Sequence, residues 1–379
     1  MLKILVDENI TLAASAFSSV GEVSLIPGRE ITNKKLRKTD ILIVRSVTNV
    51  NEELLAGTPV KFVGTATIGT DHVDLEYLND RKICFADAKG CNAYSVAEYV
   101  IASLLNLACR FDFQLKNKSI GIVGVGNVGS KVAAFADAFG MDVFLYDPPL
   151  KRSGDKRNYI EFDQILACDI ITLHTPLNIS GIDKTYHLWN SHILNRLKEE
   201  AILINTSRGA VINNSDLINA IDIKKLKVIL DVWENEPAFN DELLKRVLIG
   251  TPHVAGYSYE GKVNGTKMIY YSLCKYFHKK PEFVFPPDRP DQMVLSDPIE
   301  NNVVKKINNL VAQVYPVKRD DEKMKKSLLM FEQERQKYFD LQRKNYPVRR
   351  EFNYYNIKTA NLNEDIKNIL SVLRFNFLD

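Results

Sequence analysis

The sequence predicts an α/β protein: two successive doubly wound parallel sheets, then a small α+β unit at the C-terminal end. Three observations carry that reading. Short apolar runs of strand length, rich in β-branched residues, recur as far as about Gly256, separated by polar or helix-like connectors, as in a parallel sheet. One run leads directly into a glycine fingerprint, Gly124-Val125-Gly126-Asn127-Val128-Gly129. The composition then shifts at Lys280-Pro281 through Pro298, where prolines cannot continue a helix and read as an extended connector. At 379 residues, 45% hydrophobic and 26% charged, the chain is long enough for two or three domains with sizeable cores.

The first sheet is expected from the runs Lys3–Val6, Val23–Ile26, Ile41–Val44, Lys61–Gly64 and Ile83–Ala86. Two of them end in polar residues, Arg45-Ser46 and Thr65-Ala66-Thr67. Ligands of open α/β sheets bind outside the carboxyl ends of strands, so Arg45, Ser46 and Thr67 are candidate substrate contacts. Asn92 to Phe111 reads as a helix with Val96, Val100, Leu104 and Leu107 on one face and Asn92 as N-cap. The second sheet is expected from Ser119–Val123, Asp142–Tyr146, Ile170–His174, Ala201–Asn205 and Val228–Leu230, with a helix at Lys131–Phe139. After the extended stretch Phe285–Pro290, Glu300 to Asp379 forms the small unit. Val303, Val304, Ile307, Leu310, Val311 and Val314 make an apolar helical stripe there, and Glu332–Arg343 a charged helix.

Several functions are excluded by the bulk numbers. A net charge of +3, with no basic run interleaved with aromatics, does not point to nucleic acid. Cys84, Cys91, Cys109, Cys168 and Cys274 are scattered, with no C-x-x-C pair. Neither a metal site nor a disulfide framework is indicated, and reduced core thiols of a cytoplasmic protein are expected. The N-terminus reads as a strand, and no apolar stretch approaches the ~20 residues that span a bilayer.

The chemistry lies in the second unit. The glycines of the fingerprint let the backbone approach a pyrophosphate at a helix N-terminus. Asp147 ends the next strand, where a carboxylate accepts from ribose hydroxyls and repels a 2′-phosphate, favouring NAD; the alternative is a turn opener before Pro148-Pro149. His253, in Thr251-Pro252-His253-Val254-Ala255-Gly256, is the proposed acid–base. Glu236 would accept from its other ring nitrogen, with Glu234 as a competitor, and Arg208 presents a planar fork to a carboxylate. His174 is expected to line the cofactor site beside Thr175. His72, His187, His192 and His278 are expected to be structural.

These segments resemble the NAD-dependent D-2-hydroxyacid dehydrogenases, in which Arg, Glu and His occur in N-x-x-R-G, D-V-x-x-x-E-P and P-H-x-A-G settings. The resemblance implies two Rossmann/flavodoxin-like domains: a split substrate domain at 1–95 and 260–282, an NAD-binding domain at 96–259, and an active site in the cleft. Lys3–Asn9, Val44–Thr48, Phe62–Asp74, Gly90–Ala93, Val143–Pro149, His253–Lys262 and Lys344–Phe352 resemble a narrower branch. That branch oxidises the C2 hydroxyl of 4-phospho-D-erythronate to 2-oxo-3-hydroxy-4-phosphobutanoate, toward pyridoxal 5′-phosphate. It carries an extra C-terminal dimerisation domain, here 287–379, implying a homodimer. It implies substrate contacts at Ser46, Thr67 and Tyr257, and cofactor contacts at Asn127, Val128, Asp147, Thr175, Thr206, Ser207, Asp231 and Gly256. Arg45, with Arg349 or Arg350 of a partner, is the expected cation set for the substrate phosphate. The rivals are a sibling acting on 3-phosphoglycerate or an unphosphorylated 2-hydroxy acid, and an NAD-sensing regulator of the same fold.

Overall fold

The computed structural model describes residues 1–286, 293–296, 299–360 and 362–378. Pro287–Pro290 of the expected connector lie outside the described residues. The chain forms two compact units, Met1–Asn92 with Ser258–Pro290, and Ala93–Tyr257 with Asp291–Asp379.

The first unit holds β1 (Lys3–Asp7), β2 (Glu22–Ile26), β3 (Ile41–Val44), β4 (Phe62–Thr65) and β5 (Cys84–Ala86). Their order is β2-β1-β3-β4-β5, and every neighbouring pair is parallel. Alternate residues of these strands feed two cores, as the two-residue period of a strand requires. Ile4, Val6, Ile41, Ile43 and Phe62 face Ile269, Tyr270 and Leu273 of the Tyr259–Tyr276 helix. Leu5, Leu42, Val44 and Val63 face Leu36, Leu54, Leu55 and Leu78. Burial on both sides explains the unbroken apolar runs in the sequence.

The second unit holds β6 (Ser119–Val123), β7 (Asp142–Tyr146), β8 (Ile170–Leu173), β9 (Ile202–Asn205), β10 (Lys227–Leu230) and β11 (Ile249–Gly250), in the order β11-β10-β9-β8-β6-β7, all parallel. The order reverses between β6 and β8. The fingerprint leaves the end of β6 and His174-Thr175 the end of β8, so both stand at the switch point where such sheets bind ligands.

The Ala93–Phe111 helix departs from its expected one-sided pattern. It is buried almost all round, at Ser95, Glu98, Tyr99, Ile101, Leu105 and Ala108 as well as at the expected stripe. The reason is a second cover: the Val303–Val314 helix lays Val304, Ile307, Leu310, Val311 and Val314 into the same core as Ile120 and Ile122. Nor does Asn92 act as its side-chain cap, since the Asn92 Oδ1 is buried without a partner. The C-terminal segment closes with β12 (Met293–Val294), β13 (Tyr355–Lys358) and β14 (Asn376–Leu378), paired parallel. Its Glu364–Val372 helix packs on the Gly129–Ala138 helix that follows the fingerprint. No helix among the described residues is long and apolar enough to cross a membrane.

Candidate active site

The fingerprint loop is built by close approach. Gly124 has φ 88°, and a Cβ on Gly129 would overlap the Gly124 carbonyl. Gly126 has open space where its Cβ would be, and Gly126 and Asn127 are exposed at the tip, with Val128 just before the helix. Asp147 opens the turn before Pro148-Pro149 and also reaches the fingerprint loop. Its Oδ1 accepts from Leu150 N at 3.0 Å, capping the Pro148–Arg152 helix, and its Oδ2 accepts from Val125 N at 2.8 Å. Arg157, which no motif in the sequence singles out, donates to the Val125 carbonyl at 2.8 Å. The Arg157 fork also binds Asp155 at 2.9 and 2.8 Å and so holds that carboxyl well below the usual carboxylate range.

Facing this loop from the other side of the switch point, the Thr175 Oγ1 is buried without a partner. His174 lies between the Thr172 hydroxyl, 2.9 Å from Nε2, and the Thr206 hydroxyl, 3.2 Å from Nδ1. Burial pushes its pKa down to about 3, so the imidazole is neutral at physiological pH. Ser207 donates from both N and Oγ to Asn205 Oδ1, at 3.0 and 2.8 Å, while Asn205 Nδ2 donates to the Arg208 carbonyl at 2.9 Å. An open glycine cradle, an orphaned hydroxyl and a neutral wall fit an NAD pyrophosphate and the ribose beside it.

The three expected catalytic residues lie in this unit, and two of them meet. His253 Nδ1 is 2.8 Å from Glu236 Oε2, and Glu236 Oε1 accepts from Trp233 N at 2.8 Å. Burial alone would raise the Glu236 carboxyl, but His253, Arg343 and the Trp233 N–H outweigh it, and its pKa is lowered. Glu234, the competitor, is committed elsewhere: its Oε1 is 2.5 Å from His187 Nε2 and its Oε2 accepts from Asn214 N at 2.9 Å. His253 has a left-handed backbone, φ 57°, the kind of strain that surroundings must hold in place. Asp231 does the holding. Its carbonyl accepts from His253 N at 2.7 Å; its carboxylate accepts from Thr251 Oγ1 at 2.6 Å, Val254 N at 2.8 Å and Ala255 N at 3.0 Å. Burial raises the Asp231 pKa against the pull of His253 and these donors.

Arg208 donates through Nη1 to the Ser207 carbonyl at 2.7 Å. Its loop lies directly on the segment that carries Glu236, because a Cβ on Gly209 would overlap the Trp233 carbonyl group. Past the partly exposed Gly256, the Tyr257 ring meets Tyr346 edge-on at 5.8 Å and lies 5.9 Å from the Arg343 Cζ. In the first unit, Arg45 Nε is fixed by the buried Asp7 at 3.1 Å, Ser46 is exposed, and the Thr67 hydroxyl is 2.8 Å from that of Thr65, which is 3.0 Å from His72 Nε2.

Arg349 is a correction. Only 6% exposed, it is no phosphate ligand: Nη1 meets Glu98 Oε2 at 3.1 Å, Nη2 meets the Ala255 carbonyl at 3.1 Å and the Ser95 hydroxyl, and the fork stacks 3.9 Å over Tyr315. Arg350 lies 3.7 Å over the Tyr354 ring.

Residues 106–255 match the family model of the D-isomer specific 2-hydroxyacid dehydrogenase NAD binding domain, and residues 284–373 match a domain of unknown function. An erythronate-4-phosphate dehydrogenase of Proteus mirabilis is 43% identical over 378 residues, covering 99% of each chain. The chain belongs to the erythronate-4-phosphate dehydrogenase family. The family member of Escherichia coli O127:H6 is 45% identical over 93% of this chain and 92% of its own. Among solved structures, the NAD-bound 3-phosphoglycerate dehydrogenase of Entamoeba histolytica superposes with a TM-score of 0.64 at 26% identity, covering 73% of this chain and 95% of that one. As in its relatives, the glycine loop belongs to an NAD-binding domain.

Proposed function

We propose that this chain oxidises the C2 hydroxyl of 4-phospho-D-erythronate to 2-oxo-3-hydroxy-4-phosphobutanoate, reducing NAD, in the formation of pyridoxal 5′-phosphate. The observation that carries the chemistry is the Glu236–His253 pair at 2.8 Å, with the Arg208 loop packed on the Glu236 segment. Arg208 pairs with the substrate carboxylate and, as the ketone forms, polarises its oxygen. Glu236 accepts from Nδ1–H, leaving His253 Nε2 as the lone-pair nitrogen that takes the C2 hydroxyl proton. Bound at the glycine loop, NAD supplies the hydride acceptor for the C2–H electron pair. Asp147 and Thr175 are assigned to the cofactor; Ser46, Thr67 and Tyr257 to the substrate; Arg45, anchored on Asp7, to its phosphate.

The same reading takes the protein as a cytoplasmic homodimer paired through its C-terminal segment. Family membership supports this, as do the exposed apolar side chains Leu329, Phe331 and Val348. It also keeps residues 1–95 and 260–282 as one substrate domain, supported by the packing of the Tyr259–Tyr276 helix on the first sheet. The deciding measurement is NADH formation, by absorbance, with 4-phospho-D-erythronate against 3-phosphoglycerate. A higher kcat/KM for 3-phosphoglycerate would transfer the assignment to the sibling activity. His253→Ala should lower kcat by roughly 10²–10⁴ while NADH still binds.

A further inference from the structure

The Glu332–Lys344 helix lies in the stretch matched by a domain of unknown function, and one of its side chains reaches the catalytic pair. The helix is seated by an aromatic chain. Phe339 packs on Phe239 at 5.6 Å, and Phe239 on Trp233 at 5.4 Å; Trp233 is the residue whose N–H is bound by Glu236. One turn along, the Arg343 Cζ lies 5.9 Å from the centres of both the Phe339 and Tyr257 rings. Its guanidinium bonds the Tyr257 phenol and interacts electrostatically with Glu236, while its Nε is buried without an acceptor. Tyr346 closes on the Tyr257 ring at 85°.

We propose that Arg343 is a positioning residue of the active site, delivered by the C-terminal segment of the same chain: it fixes the Tyr257 ring and supplies a permanent positive charge facing Glu236. The inference rests on the assignment of Glu236, His253 and Tyr257 to catalysis. Its physical ground is the resting state of the pair. An imidazole able to accept the substrate proton carries no charge itself, and a half-buried carboxylate beside it needs another cation to stay ionised. Arg343 is always charged. The groups facing Glu236 are His253, Arg343 and the Trp233 N–H; Asp231 faces His253, and Tyr257 and Asp340 face Arg343. Without Arg343, burial is opposed by the histidine and one N–H alone, and Tyr257 loses the guanidinium beside it.

The test uses full-length Arg343→Met, Arg343→Gln and Arg343→Lys, with kcat and KM followed against pH and NADH affinity and Tm measured alongside. Arg343→Met should lower kcat/KM roughly 10–100-fold at neutral pH and move the acidic limb of its pH profile up by about one unit, with NADH affinity unchanged. Arg343→Lys should restore most of the rate and return the limb toward its original place. Tyr257→Phe should raise KM and leave the limb where it was. Should Arg343→Met lower Tm markedly, Arg343→Gln, closer in shape and equally uncharged, carries the same expectation. A kcat/KM within twofold of the unmodified enzyme overturns the inference. So does a loss that lysine does not rescue and that leaves the pH profile unmoved, since packing alone would produce it. A normal Arg343→Met beside an inactive His253→Ala removes Arg343 only, whereas an active His253→Ala removes the catalytic pair itself.

Discussion

At Gly209 one missing methyl sets how near the Arg208 loop comes to the Glu236 segment. Gly209→Ala must push its Cβ against the Trp233 carbonyl group, and backbone cannot yield as a flexible side chain does. A loss of about 2–3 kcal/mol in urea unfolding is expected, with a fall in kcat of at least about tenfold, because either segment must move. Asp147→Ala removes a helix cap and the bond to Val125 N together. It should cost about 1 kcal/mol and narrow the preference for NAD over NADP in the kcat/KM ratio. His174 gives a pH prediction. Neutral in both states above 6.5, it is protonated first in the unfolded chain as pH falls, because its folded pKa lies near 3. Stability should therefore be lost progressively between 6.5 and about 3, by about 1–2 kcal/mol at pH 5, and His174→Asn should flatten that limb in pH-dependent urea titrations. Arg208, Glu236 and His253 were conspicuous in the sequence because each falls in a short segment whose residue types suggest a role, and the structure brings Glu236 and His253 together. Arg349 was not: in a run with Arg350 it looks like solvated surface, and its partner Glu98 is 251 residues away.

Among the elements, strands were read well and helix faces poorly. A strand buried on both sides needs nothing but its own β-branched run to declare itself, and β6 and β7 fall where those runs do. A helix face declares only that something apolar covers it. The Ala93–Phe111 stripe implied one cover, whereas two exist, and the chain beyond the second brings Arg349 into a buried cluster with Glu98, Glu351 and Arg374. Burial pushes the Glu98 carboxyl up, with Glu351 adding to the push and Arg349 opposing it. Arg349→Met should thus destabilise by about 3–5 kcal/mol in thermal or urea unfolding, since it strands a carboxylate in the core and leaves the Ala255 carbonyl, at the end of the His253 loop, with the Ser95 hydroxyl as its remaining donor.

For the molecule as a whole, the C-terminal segment is core to the nucleotide unit and not an appendage. Val304, Ile307, Leu310, Val311 and Val314 each bury an aliphatic side chain against it. At about 1.5–3 kcal/mol apiece this is roughly 8–15 kcal/mol as an upper estimate, comparable with the whole stability of a domain. A chain cut after Pro286 should therefore be insoluble or lack a cooperative unfolding transition by circular dichroism; a folded truncation that binds NADH would refute this. The composition shift near Lys280 pointed to the segment but concealed its attachment, because a connector in the sequence says nothing about what the chain beyond it rests on. That attachment also bears on synthesis. Phe111 leaves the ribosome well before Val303 is made, an interval of roughly 10–40 s at about 5–20 residues per second. For that time the nascent helix carries an uncovered greasy flank, which makes this enzyme a natural client for a chaperone that shields it until the last quarter of the chain arrives.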